Sequence, residues 1–175
     1  MLDQVRKAKG PVIPIGFSLG ALVTLLAVAR WAETEESPQE KIPAAVIVAP
    51  PHGATSMLME GFRHRPKGRR DAIYGIPAVV LQIGQEGSPL RKRADQAFRP
   101  IVEAGIELTV VHWAHERVCP YTPPSTANIL GALYRDRPVM RGVTHKTNAA
   151  REHMAVRDDR ETTLEILRAS YAASR

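Results

Sequence analysis

The chain has 175 residues, is 44% hydrophobic, and sets 24 Lys and Arg against 18 Asp and Glu for a formal charge of +6. That size suits one core, so residues 1–175 are expected to form a single domain. Cys119 is the only cysteine, which excludes an internal disulfide framework and leaves no Cys-x-x-Cys zinc signature.

Met1 to Gly10 is polar and basic and does not resemble a secretion signal. Pro11-Val12-Ile13-Pro14-Ile15 is a short apolar, β-branched run that reads as a buried strand, with Pro14 awkward because it cannot donate to a ladder. Gly16-Phe17-Ser18-Leu19-Gly20 follows. Ala21 to Ala32 is then apolar on nearly every face and reads as a helix deep in the core. The apolar run Leu19 to Ala29 falls short of the ~20 residues a membrane span needs. A cytoplasmic protein without membrane attachment is the expectation.

Glu33 to Lys41 reads as a charged, Pro-containing loop. Ala44 to Ala49 is a continuous apolar run of strand length, closed by Pro50-Pro51-His52-Gly53, and burial on both faces suits a parallel sheet. Arg63, His64, Arg65, Lys67, Arg69 and Arg70 form a basic stretch, and Arg91 to Arg93 a second. Neither interleaves aromatics, and aromatic content is 5%. Solvated segments are therefore expected, with no nucleic-acid partner.

Ala78 to Ile83 is the third strand-like run, followed by a basic amphipathic helix from Leu90 to Ala104, a stop at Gly105, and a fourth strand from Glu107 to Trp113. Pro120 to Gly142 carries several prolines and a short helical pattern at Ala127 to Tyr134. Asp158 to Ala173 is helical, with Leu164, Leu167 and Tyr171 on one side, and is expected to pack back on the sheet. Strands and helices alternate, which predicts an α/β fold with a mostly parallel sheet, flanking helices and right-handed crossovers.

The chemistry lies in Gly16-Phe17-Ser18-Leu19-Gly20, which fits G-x-S-x-G between a strand and a helix. A sharp strand-to-helix turn needs small residues at both ends and pushes the Ser18 hydroxyl out of the sheet top. Ser18 is thus the candidate nucleophile, expected in a strained backbone conformation. Bulky residues at either elbow glycine, Gly16 or Gly20, are expected to destabilise the turn. The backbone N–H of Leu19, at the helix start, is the candidate oxyanion donor.

From Pro11 onward the order of elements resembles the second half of an α/β-hydrolase, most closely the dienelactone-hydrolase-like serine esterases. The resemblance implies a strand ending in a proline-rich turn at Val46 to Pro51 and a strand followed by the triad acid at Ile76 to Pro89. It further implies a strand followed by the catalytic histidine at Glu107 to His115, and a closing helix at Asp158 to Ala173. His115 is accordingly the expected general base, with His112 read as structural, His145 and His153 lying in the tail and His52 in the turn after the second strand-like run. The segment Ile83-Gly84-Gln85-Glu86-Gly87-Ser88-Pro89 carries Gly87 where the family has its aspartate. Glu86 becomes the candidate acid, and Asp95 the alternative.

A second oxyanion donor comes, in that family, from a loop after an early strand that has no counterpart here. The expectation is a truncated or minimal α/β-hydrolase fold lacking the N-terminal strands, because four strands would leave one flank of the nucleophile strand open. The implied activity is carboxylic-ester hydrolysis of a small-molecule substrate through an acyl-enzyme on Ser18. No cofactor is expected and no metal, since no His/Asp/Glu cluster has ligand spacing. The alternative is a catalytically impaired fragment acting as an interaction module, with Arg63 to Arg70 as its contact surface. A homo-oligomer is left open.

Overall fold

The computed structural model describes residues 1–50, 87–113, 143–148 and 160–172. Helix α1 (Leu2–Lys7) leads to strand β1 (Ile15–Phe17), helix α2 (Leu19–Thr34), the short helix α3 (Pro38–Lys41) and strand β2 (Ala44–Val48). Helices α4 (Pro89–Gln96) and α5 (Phe98–Glu103) precede strand β3 (Glu107–Trp113), strand β4 (Val143–Asn148) and helix α6 (Arg160–Ala172). Among these residues the four strands form one parallel sheet in the order β1-β2-β3-β4.

Side chains alternate across β2 as the strand period requires. Ala45 and Ile47 join Leu108 and Val110 in a core with α2, α4 and α5, to which Val5 of α1 and Trp31 also belong. Val46, Val48 and Ala49 join Val111 and Ile166 of α6 on the other side. Every residue of β2 is buried, which is why its sequence shows no polar alternation. Helices thus flank the sheet on both faces.

Several expected boundaries move, each for a physical reason. The first strand occupies Ile15–Phe17, with Pro14 just before it. The imide has no N–H to give, but its carbonyl accepts from the Val46 N–H at 2.9 Å, so proline opens the ladder without interrupting it. The segment expected to be a loop after α2 contains α3, started by Pro38 at its first turn and held by the Trp31 indole N–H donating to the Pro38 carbonyl at 3.2 Å. The helix expected over Leu90 to Ala104 is broken at Ala97 into α4 and α5. Pro100 lacks the N–H that would bond the Gln96 carbonyl, and the ladder loses a rung there.

Gly105 stops α5 as expected. It takes φ +71, its N–H bonds Val102 C=O at 3.0 Å, and the Ile106 N–H bonds Ile101 C=O at 3.1 Å, the paired bonds of a Schellman cap. The next N–H, that of Glu107, bonds Pro43 C=O at 3.0 Å and so places the end of α5 beside the start of β2. The α4–α5 pair therefore runs from the C-terminal to the N-terminal end of the strands, as α2 does. Both helices begin at the same end of the sheet.

Two further elements, besides α3, go beyond the sequence expectation. α1 lies in the polar opening segment but buries Val5 to 2% exposure. β4 extends the sheet beyond β3, pairing Leu108 with Val143 through Trp113 with Asn148. β2 is bonded directly to β3, Ala44 opposite Glu107, so no other strand lies between them. The runs expected at Ala78 to Ile83 and Ala127 to Tyr134, and the basic stretch Arg63 to Arg70, fall outside the described residues. α6 packs on the sheet as expected but through Ile166, while Leu164 and Leu167 are 39% and 49% exposed.

Candidate active site

Ser18 is the junction of β1 and α2, and its backbone has φ 54 and ψ −123. A non-glycine residue pays for that conformation with about 1–3 kcal/mol of strain, which persists only where the surroundings over-determine it. They do so here. The Ser18 N–H donates to the Val48 carbonyl at 2.9 Å, and the Ser18 carbonyl accepts from the Ala21 N–H at 2.9 Å to start the helix. Ladder on one side and helix on the other leave no room for an ordinary turn.

The two elbow glycines differ in role. A Cβ at buried Gly16 would stand 2.5 Å from the Gly20 carbonyl oxygen, 2.5 Å from the Thr24 hydroxyl and 2.7 Å from the Ala21 Cα. Two of those atoms are backbone, so the glycine is what lets α2 lie against β1. Gly20 meets nothing within 4 Å among the described residues and is exposed, so the expectation that bulk at Gly20 would disrupt the turn is not supported sterically. Leu19, half-buried, is the first residue of the 16-residue α2. Its N–H is one of the four that a helix start leaves without an intrahelical acceptor, and it lies at the positive end of the dipole.

Glu86 and His115, as well as His52 and His153, lie outside the described residues. The nearest described residues in the chain are Gly87 for Glu86, Trp113 for His115 and Asn148 for His153. Gly87, which follows Glu86, has φ +80 and leads into the Ser88 cap of α4, where the Ser88 hydroxyl accepts from the Arg91 N–H at 3.1 Å. That left-handed φ gives a backbone reason for glycine at the position where the resembled family carries aspartate. β3 ends at Trp113, two residues before His115, and β4 ends at Asn148, five before His153. The start of α4, the ends of β3 and β4, and Ser18 all belong to the C-terminal end of the sheet, the end at which open α/β sheets bind ligands. His112 and His145 lie within β3 and β4, opposite Thr147 and Val110.

Asp95, the alternative acid, pairs with Arg91. Both its carboxylate oxygens accept from Nε of Arg91 at 3.0 Å, and Arg91 is 4% exposed. A buried guanidinium needs such a partner, so this carboxylate serves the packing of α4. Arg99 on α5 is held above its ordinary pKa by its hydrogen bond to Glu103 and then by that carboxylate's charge, an exposed surface pair. An open cleft of about 630 Å³ lies near the opposite end of the strands, lined by Lys9, Pro11, Trp31, Glu35, Ser37 and Lys41. Of the groups that line it, Glu35 pairs with Arg6 at 3.0 Å, the Thr34 hydroxyl donates to the Arg30 carbonyl, and Lys41 donates to the Ala8 carbonyl. Among the described residues no group of three His, Cys, Asp or Glu is placed to hold a metal ion, and no helix is long and apolar enough to cross a membrane.

No known family profile matches this sequence, and no curated protein matches it. Solved structures do resemble it in three dimensions. An α/β-hydrolase enzyme from the metagenome of lagoon sediments at Mar Chica, Morocco, superposes with a TM-score of 0.56 at 17% identity, over 98% of this chain and 66% of that one. A structure from a study of carboxylesterases of the thaumarchaeon Nitrososphaera gargenis gives 0.57 at 11% identity, over 99% and 72%. The monoacylglycerol lipase of Paleococcus ferrophilus gives 0.52 at 13% identity, over 98% and 71%. The chain thus spans just under two thirds of the first of these structures and about seven tenths of the others. With its parallel sheet, its helices on both faces and its strained strand-to-helix corner at Ser18, this chain has an α/β-hydrolase fold.

Proposed function

We propose that the chain is a serine hydrolase that cleaves carboxylic esters through an acyl-enzyme on Ser18. The observation that carries this reading is the Ser18 backbone, φ 54 at the C-terminal end of a parallel strand and the first turn of a helix. Strain of that kind clusters at active sites, and a serine at such a strand-to-helix corner is the arrangement that exposes a nucleophile. The esterase and lipase among the structural neighbours favour an ester over other acyl donors.

In the proposed reaction the Ser18 oxygen attacks the ester carbonyl while His115 takes its proton. The carbonyl oxygen becomes an oxyanion facing the Leu19 N–H. Collapse expels the alcohol, which receives the proton from the histidine. Water then attacks the acyl-enzyme by the same route in reverse, releasing the acid and restoring Ser18. Glu86 orients the imidazole and stabilises its charged form. Each step exchanges a proton between groups of the chain and substrate, so no cofactor is required.

The strand order admits a second assignment of the base and acid. The described sheet runs elbow strand, β2, β3, β4 and closing helix α6. In that order Glu116 follows β3 and His153 follows β4 in the chain. Ser18 keeps its role in both assignments.

The experiment is labelling with a fluorophosphonate probe, followed by hydrolysis of short-chain aryl esters. Labelling of the intact chain that disappears in Ser18→Ala supports the hydrolase. Folded protein that resists the probe points instead to an interaction module that keeps the fold without its chemistry.

A further inference from the structure

We propose that Ala49 is a positioning residue for the nucleophile, holding Ser18 in its strained conformation through the Val48–Ala49 peptide. The inference deepens the serine-hydrolase reading and rests on it.

Ser18 and Ala49 are the non-glycine residues with positive φ among those described, at 54 and 46. They are neighbours. The last register pair of the two strands is Phe17 with Val48, so Ser18 and Ala49 are the next residues on each side. One peptide group joins them to the rest of the sheet: its carbonyl, from Val48, accepts from the Ser18 N–H at 2.9 Å, and its N–H, from Ala49, donates to the Val111 carbonyl at 2.8 Å. A peptide group is planar and turns as a unit. Whatever fixes its orientation therefore fixes the acceptor that Ser18 depends on.

The Ala49 methyl supplies that restraint. Ala49 is 0% exposed and packs with Val46, Val48, Val111 and Ile166. With the methyl held in the core, rotation about the Ala49 N–Cα bond would swing the peptide plane away from Ser18 and Val111 together. Glycine would occupy φ 46 at no steric cost and is the relaxed choice for such a corner. Alanine is strained there, and its methyl is what turns a permissive corner into a fixed one. Two adjacent strained residues linked by one peptide group are a pre-organised arrangement of the kind found where geometry must be held for chemistry.

The test compares the full chain with Ala49→Gly and Ala49→Ser, the second retaining the Cβ. Three quantities are read: the limiting rate and half-saturating concentration of fluorophosphonate labelling, the hydrogen-exchange protection of the Ser18 amide, and the urea midpoint. Expected for Ala49→Gly is a limiting rate lower by about tenfold, as for a small misplacement of a reacting group. Its half-saturating concentration and urea midpoint should be unchanged, and its Ser18 amide less protected. Ala49→Ser should label within about twofold of the parent, because its Cβ still anchors the peptide. A merely structural alanine would lower the midpoint and leave the limiting rate of the folded fraction alone. Parental labelling and protection in Ala49→Gly overturn the proposal, as do a change confined to the half-saturating concentration, an equal loss in Ala49→Ser, or an unfolded Ala49→Gly. If the parent itself is never labelled, the hydrolase reading falls and this proposal with it.

Discussion

At Gly16 the added Cβ would meet two backbone atoms within 2.7 Å, and backbone cannot swing aside as a side chain can. Gly16→Ala should therefore cost at least about 2 kcal/mol by urea unfolding, at the upper end of overpacking penalties. Gly20→Ala adds a methyl in open space near a helix start. It should leave stability within about 1 kcal/mol of the parent, or raise it, since alanine is the better helix former. A different pair separates the carboxylates. Glu86→Gln should slow ester hydrolysis by about a hundredfold or more with little change in KM, because an orienting carboxylate acts on the imidazolium formed during acyl transfer. Asp95→Asn should change the rate by less than about threefold, because this carboxylate is bound to Arg91 and contributes to packing. Equal small effects from the two would remove Glu86 from the site.

For the elements, the hydrophobic pattern was enough to find α2, β2, β3 and α6, because the first three bury continuous apolar runs and the last carries a helical period. It was not enough to say which side chains of α6 do the burying. Leu164 and Leu167 read as an inward stripe, yet Ile166 is 6% exposed while both leucines face solvent. Ile166→Ala should cost about 2–4 kcal/mol, the range for truncating a buried aliphatic chain, whereas Leu167→Ala should cost less than about 0.5 kcal/mol. Chemical denaturation of the two variants checks this, and the reverse order would mean that α6 is rotated about its axis. β4 escaped notice for a related reason. Val143-Thr144-His145-Lys146-Thr147-Asn148 has three β-branched residues after Gly142 but no apolar run, and its place beside β3 comes from main-chain pairing. α1 was similarly hidden, its single deeply buried residue, Val5, standing among charges.

Over the whole molecule, the addition of β4 changes which histidine stands nearest to the end of the last described strand. His115 follows β3 and His153 follows β4 in the chain, and both strands end at the end of the sheet that carries Ser18. His115→Ala should abolish ester hydrolysis and lower fluorophosphonate labelling by about a thousandfold or more, as expected for loss of the base, while His153→Ala changes either by less than about threefold. The opposite result transfers the base to His153 and brings Glu116 forward as its acid. The sequence by itself determined the alternation of strand and helix, and with it the parallel sheet, because local apolar runs and their periods are properties of short segments. It also marked Ser18, since a glycine-flanked serine between a strand and a helix has a local steric meaning. Only the tertiary structure decided that Gly16 and not Gly20 is sterically required, and that Asp95 belongs to buried Arg91. It also decided that Ala49 shares its strain with Ser18 and that β3 lies directly against β2. The last two are registers between segments far apart in the chain, and the first two depend on how a helix lies against its neighbours; packing sets both where local propensity does not.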